Sequence, residues 1–499
     1  MITRSLLAGV GVLPTEPVEI GNEPQFFVDD HIVDNRWALK QKTEEVLRVF
    51  HAPRKYEHNP VIVGEGGYMS VVHEKESGLF RMWYQTHAWG DKKDEEKTGY
   101  AVAYAESRDG VKWELPKLRL YDWKGSRENN IVWRGARGSQ AHGQQVLALP
   151  EAHRRSYRYV MQYHGTAAAP RSNGICLVGS QDGIHWDAAK SIEIAHLPSD
   201  TVNSIVHDPR RKEFVMYCRD KTAYRTFQGD ILDTGESRRI ARMASPELWT
   251  AWKSKPQNIL IPDEQDMARG FNRFYGMPTT YHAGIYWGIL WCFKLNTDIW
   301  TELAWSRDGI NFERFPGRPK LIELGKPGAW DDGMVIGGPD WIEMGGEWWM
   351  YYSGWDGPHE SRERNVGIGL LKLRKEGFIS MRGPRGGGVI CTRLLRWPGG
   401  KLAVNADAHA GELKVRVSDE RRKPLAGFDY ADCVAFTGDS VAHEVAWKAK
   451  AIDSLKGRVI RLEFRLKDAD LYTFRSTGMT LRDVTAPHAR QPSPPPGGR

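Results

Sequence analysis

Ser107-Arg108-Asp109-Gly110-Val111-Lys112-Trp113 returns as Ser180-Gln181-Asp182-Gly183-Ile184-His185-Trp186, degenerately as Ser245-Pro246-Glu247-Leu248-Trp249, and cleanly as Ser306-Arg307-Asp308-Gly309-Ile310-Asn311-Phe312. The leading serines are 73, 65 and 61 residues apart. A fifth copy is expected near residue 367, where Gly367-Ile368-Gly369-Leu370-Leu371 is followed by Lys375-Glu376-Gly377-Phe378. Asp-Gly is a turn signal, since Gly takes positive φ freely and Asp hydrogen-bonds its own backbone. The Trp or Phe that follows is expected to pack between repeats, so the motif reads as structural.

Upstream of each copy lies an aromatic strand: Leu79 to Tyr84, Tyr157 to Met161, Glu213 to Tyr217, Tyr286 to Trp291 and Glu347 to Tyr352. Each of these follows a tight turn and an earlier strand, such as Met69-Ser70-Val71-Val72-His73-Glu74 or Ser204-Ile205-Val206-His207-Asp208. One unit therefore reads as inner strand, hairpin, aromatic strand, and a strand ending at Ser-x-Asp-Gly. A β-rich unit repeating every 60 to 75 residues predicts propeller blades. The expected fold is all-β: a five-bladed β-propeller followed by a small β-sandwich.

The chain has 499 residues, enough for two or three domains. Residues 1–24 read as a leader, 25–380 as the propeller, 381–395 as a Gly-rich linker, 396–480 as the sandwich, and 481–499 as a Pro-rich tail expected to be disordered. Short alternating strands such as Glu412-Leu413-Lys414-Val415-Arg416-Val417 carry the sandwich assignment.

Seventy basic residues face 63 acidic ones with no Lys/Arg block, which argues against a nucleic-acid partner. No run of 18 apolar residues exists, so no membrane partner is expected. The start, Met1 to Val10, is at most a truncated export signal, and the cytoplasm is slightly favoured over a secreted or periplasmic location. Five scattered cysteines give neither a zinc pattern nor a disulfide framework. Oligomeric state is not legible. The aromatic share, 11%, is high, and aromatic rings suit both strands and the flat C–H faces of sugars.

Propellers gather ligands where each inner strand starts. Asp29 and Asp30 are read there for the first repeat, and Asn130 and His142 for the second. Asp200 and Asn203 are read there for the third, Asp263, Asp266 and Tyr275 for the fourth, and Trp330, Asp331 and Asp332 for the fifth. Glycoside cleavage needs one carboxyl to protonate the leaving oxygen and another to attack or to activate water. Asp30, Asp200 and Asp332 are the candidate catalytic acids. Asp29, Asn130, His142, Asn203, Asp263, Asp266, Tyr275, Trp330, Asp331 and His359 are candidates for binding sugar. Arg219 and Arg242 could pair bidentately with an acidic sugar. No spacing is diagnostic of a metal, so no cofactor is expected, although an axial divalent cation such as calcium is compatible with the acids.

Phe27-Val28-Asp29-Asp30-His31-Ile32-Val33, Asn59-Pro60-Val61-Ile62, Arg242-Met243-Ala244-Ser245, Trp330-Asp331-Asp332-Gly333 and Tyr351-Tyr352-Ser353-Gly354 together resemble bacterial proteins grouped with glycoside hydrolase families 32 and 43. The resemblance spans about residues 25 to 476. It implies a five-bladed propeller whose acids act as nucleophile or base, transition-state stabiliser and general acid. The chain departs from family 32 in lacking its Trp-Met-Asn-Asp-Pro signature. The expected function is therefore a glycosidase acting on an oligo- or polysaccharide. The alternatives are a non-catalytic carbohydrate-binding propeller and a glycoside phosphorylase.

Overall fold

A computed structural model of the chain describes residues 16–34, 45–88, 99–137, 140–168, 173–220, 238–271, 273–294, 297–361 and 363–478. Most of the expected leader and all of the expected tail from 481 onward lie outside the described residues. The chain divides into two units, one of residues 52–374 and one of residues 1–51 with 375–499.

The larger unit holds three separate four-stranded antiparallel sheets and, after them in chain order, one twelve-stranded sheet whose two halves, called the fourth and fifth sheets below, meet at a single parallel bridge between Ile299 and Met334. The first sheet is Met69–Glu74, Leu79–Ala88, Gly99–Ser107 and Ile131–Trp133. The second runs from Ala141–Val146 to Ile192–Ala195, and the third from Ser204–Asp208 to Gln257–Leu260. The fourth and fifth are built on the pairs Ile285–Phe293 with Ile299–Ser306 and Glu347–Trp355 with Val366–Arg374. The outermost strands of the fifth sheet come from early in the sequence: Arg54–Lys55 and Ile62–Val63 both pair with Val366–Arg374.

Hydrogen bonds between successive inner strands close the ring. Val146 N donates to Ser70 Oγ at 3.0 Å, Ile205 N to Gln145 Oε1 at 3.0 Å, and Thr279 N to Ser204 Oγ at 2.9 Å. The Thr280 hydroxyl donates to the Pro339 carbonyl, and Val71 N donates to Asp340 Oδ2 at 2.8 Å. Five such links lead from the first sheet back to the first. The inner strands of the fourth and fifth sheets are broken, Arg273–Gly276 from Thr279–His282 and Met334–Gly337 from Ile342–Met344. Pro278 and Pro339 lie in the breaks, and proline has no N–H for a ladder.

The repeated motif staples neighbouring sheets, as its composition predicts. Asp109 Oδ1 accepts the N–H groups of Val111 and Lys112, each at 2.8 Å, and Gly110 takes φ +72°. The Gly110 carbonyl accepts the Tyr351 hydroxyl of the fifth sheet at 2.6 Å. The Trp83 indole N–H of the first sheet donates to Gly183 O at 2.7 Å, and the Tyr217 hydroxyl of the third donates to Gly309 O at 3.0 Å. Trp113, Trp186 and Phe312 then pack edge-on against Tyr351, Trp83 and Tyr217.

The smaller unit is a β-sandwich of two sheets around Phe27, Trp397, Phe464 and Phe474, all at most 0% exposed. Three expectations change here. Residues 25–51, read as the start of the propeller, belong to this unit: Gln25–Phe26 pairs with Ala469–Thr477, and Phe27 lies 5.9 Å from Phe474 in its core. Residues 381–395, read as a linker, hold sheet strands within Ile379–Gly383 and at Gly388–Cys391. The expected fifth motif at Lys375 to Phe378 also lies here, with Glu376 accepting the Thr473 hydroxyl at 2.7 Å. All five cysteines are buried free thiols. No helix among the described residues is long and apolar enough to cross a membrane.

Candidate active site

The inner strands of the first, second, fourth and fifth sheets begin around one cavity. Its wall combines Tyr68, Tyr100, Tyr275 and Trp355 with His87, His142, His359 and Arg364. Gly64-Glu65-Gly66-Gly67 delivers Tyr68, and a Cβ on Gly67 would stand 2.8 Å from the Gln85 carbonyl, so the approach requires glycine. Gly143, at φ +59°, lets the second inner strand run against the Thr201 carbonyl, 2.1 Å from where a Cβ would be.

Tyr68 is the floor. It is buried, stacked on Trp291 at 5.5 Å and edge-on to His142 at 5.3 Å. Burial first, and then Tyr275, push its hydroxyl well above the ordinary tyrosine range, so it stays a neutral phenol. His142 is 5% exposed, and Tyr100 lies 4.1 Å from its ring. Its Nδ1 is buried and meets no hydrogen-bond partner among the described residues. Burial, with the charge of Arg219 among the smaller causes, pulls its pKa down to about 3, and burial with Lys124 and Arg364 pulls His87 down to about 4. His359 is also lowered by burial, and its Nε2 lies 3.1 Å from the Tyr275 hydroxyl. The imidazoles are therefore uncharged at neutral pH and offer hydrogen bonds rather than charge.

The charge comes from arginine. Arg364 is half-buried, with Nη1 donating to the Pro358 carbonyl at 2.9 Å. Arg219 and Arg238 stand 5.7 Å and 5.0 Å from the Tyr275 ring centroid. Arg219 Nη2 donates to Asp200. A side cavity sharing His87, Trp355 and Arg364 with the first adds Glu65, Thr86 and Lys124. Burial raises the Glu65 carboxyl above the usual carboxylate range, against the lowering effect of a hydrogen bond with Thr86 and the charge of Lys124.

Of the expected site residues, the structure brings His142, Tyr275 and His359 onto the cavity wall, with Arg219 and Asp200 behind Tyr275. The expected ring of carboxylates does not form among the described residues: none of the described Asp or Glu side chains lines the main cavity. Asp30 lies in the sandwich unit, where Arg48 Nη2 donates to it at 2.7 Å, and Asp29 accepts the His31 N–H there. The apolar run beside them is needed by the sandwich core, and the first inner strand starts at Met69 instead.

Asp332 accepts the Gly328 N–H at 2.6 Å and closes a turn. Asp331 is buried between Lys55 Nζ at 2.6 Å and the Tyr352 hydroxyl at 2.8 Å, and Trp330 packs on Tyr352. Asp266 takes both terminal nitrogens of Arg314, at 2.6 and 2.8 Å, and Asp263 caps the helix Glu264–Ala268. Asn130 donates to the Tyr84 hydroxyl and the Tyr104 carbonyl, Asn203 to the Ser199 and Thr201 carbonyls, and Arg242 to Glu213. These are framework contacts. Glu65, Tyr68, His87, Tyr100, Arg238 and Arg364 went unread; the glycine-rich run at 64–67 before an inner strand was the available signal for the first two. Among the described residues no three His, Cys, Asp or Glu side chains cluster as a metal site would require.

No family model matches the chain. An uncharacterized protein of Mycobacterium tuberculosis, Rv1502, is 28% identical over 153 residues, and the match covers 29% of this chain and 44% of that protein. Among solved structures, the chain is similar to a β-1,2-mannobiose phosphorylase from Listeria innocua (13% identity, TM-score 0.44, 64% of this chain and 96% of that one). It is also similar to an N-acetylgalactosamine deacetylase from F. plautii (15%, 0.43, 66% and 95%) and a xylan β-1,4-xylosidase from Bacillus halodurans (11%, 0.40, 84% and 99%).

Proposed function

We propose that the larger unit is a carbohydrate-active enzyme that cleaves a glycosidic bond in the cavity where its inner strands begin. One observation carries the reading: aromatic rings and uncharged, hydrogen-bonding imidazoles face one cavity beside a carboxyl whose proton affinity burial raises. Rings offer faces to the C–H surface of a sugar, and His142 Nδ1 is a buried polar atom awaiting a hydroxyl. Glu65 is the proton donor to the leaving oxygen, since a raised carboxyl is what that step uses. Asp200, held by Arg219, is the second carboxylate of this proposal.

The test is product release over a panel of glycans by wild type and Glu65→Gln. Turnover by the wild type, lowered at least about 100-fold by the substitution, supports the reading. A second reading, sugar binding without catalysis, is favoured by a main cavity wall on which no described residue is an acid. Glycan binding with no product from the wild type selects it.

A further inference from the structure

The ring has a second mouth, where its inner strands end. Residues of all five inner strands line a cavity there, among them His73, Gln145, His207, Thr280 and Ile342. Its volume is about 470 Å³, against about 80 Å³ for the main cavity, and lies within the roughly 300–1,000 Å³ of small-molecule sites. The two cavities share no lining residue. Tyr68 of the one and Gln145 and Pro339 of the other line a gap of about 10 Å³, room for one water and not for a sugar.

Rings on this mouth are held by other rings. Trp341 is half-buried and packs 4.6 Å from Trp348 and 5.7 Å from Trp287. His73 stacks on Phe80 at 4.1 Å, and His207 lies 5.0 Å from Phe214. Both pairs come from one sequence pattern, a histidine before an acid at the end of an inner strand and a phenylalanine seven residues after the histidine. Side chains fixed in this way lose little freedom when a ligand arrives. Asp340 also lines the cavity, and burial pushes its carboxyl up to about 7, so near neutral pH it donates hydrogen bonds as well as accepting them. Lys75, Asp340 and Glu343 bring both signs of charge to the wall, which favours a neutral ligand over an ionic one.

We propose that this mouth is a second carbohydrate-binding site, which takes a neutral oligosaccharide. The inference rests on the carbohydrate reading above and adds a site that the reading does not use. A sugar ring offers a C–H face to Trp341, and the imidazoles and the Asp340 carboxyl are donors and acceptors for its hydroxyls.

Calorimetric titration of the full chain with xylohexaose, arabinohexaose, mannohexaose and cellohexaose, and with tetramethylammonium, tests this. It is repeated on Trp341→Ala, His73→Ala and His142→Gln, and circular dichroism checks each variant's fold. The expected result is oligosaccharide binding that is weakened about tenfold in Trp341→Ala and in His73→Ala and retained in His142→Gln. If the tryptophan variant does not fold, His73→Ala decides. Either variant, folded and binding as wild type does, overturns the second site. So do binding lost in His142→Gln alone, tetramethylammonium bound in place of sugar, and no oligosaccharide binding at all. Binding requires no turnover, so the two proposals fail separately: oligosaccharide held through Trp341 with no product over the glycan panel removes the enzyme alone, and product from a protein whose binding depends only on His142 removes the second site alone.

Discussion

Asp340 Oδ2 accepts the backbone N–H of Val71 at 2.8 Å, and through it the fifth sheet of the ring holds the first. Burial pushes this carboxyl up to about 7, against the lowering effect of that hydrogen bond. The folded state therefore binds a proton more tightly than the unfolded chain, whose carboxyl titrates near the ordinary 3.8. The contribution to stability is full below about pH 4 and is lost as pH rises through about 7, by at most about 4 kcal/mol. Asp340→Asn, which keeps an acceptor for Val71, is expected to gain stability relative to wild type as pH rises from 4 to 8. Denaturant melts across that range check it, and parallel pH profiles would refute the assignment.

His142 works in the opposite direction. Its folded pKa of about 3 lies below the ordinary 6.5, so its contribution to stability is present above pH 6.5 and falls away as the pH drops. His142→Gln should flatten the acid limb of the stability profile between pH 6 and 4 and weaken sugar affinity at pH 7. An unchanged acid limb would mean that the imidazole is not held neutral.

Asp266 and Arg314 are almost fully enclosed, with side chains 0% and 2% exposed, and Glu302 accepts from the same guanidinium. Removing Asp266 leaves Arg314 and Arg269 sharing the one carboxylate of Glu302, an excess of buried positive charge, and Asp266→Ala should cost about 3–5 kcal/mol in chemical denaturation. Because the cluster holds framework rather than substrate, the kcat of the folded variant should stay near wild type. A loss below about 1 kcal/mol would show that water reaches the cluster.

The ring was legible because its repeat is local chemistry. Asp109-Gly110, Asp182-Gly183 and Asp308-Gly309 write turns directly into the sequence, and Trp83, Tyr217 and Tyr351 are the aromatic donors those turns receive. The axis was harder to read. Phe26-Phe27-Val28 followed by Asp29-Asp30 has the pattern of a strand leading to an acid, but that pattern does not say which core the rings enter. Phe27 entered the sandwich, and the place assigned to Asp30 went to Glu65, Gly66, Gly67 and Tyr68. Asp266 and Asp331 failed as site residues for a related reason: their partners Arg314 and Lys55 lie 48 and 276 positions away, beyond what spacing reveals.

The edge of the fifth sheet carries a cost in time. Ile62–Val63 can pair only when Val366–Arg374 has been made, so about 300 residues must leave the ribosome first. At about 5–20 residues per second the delay is roughly 15–60 s. Throughout that wait the short Ile62–Val63 segment of a nascent chain stays without the strand it pairs with in the finished fold, and a chaperone would be well placed to guard it.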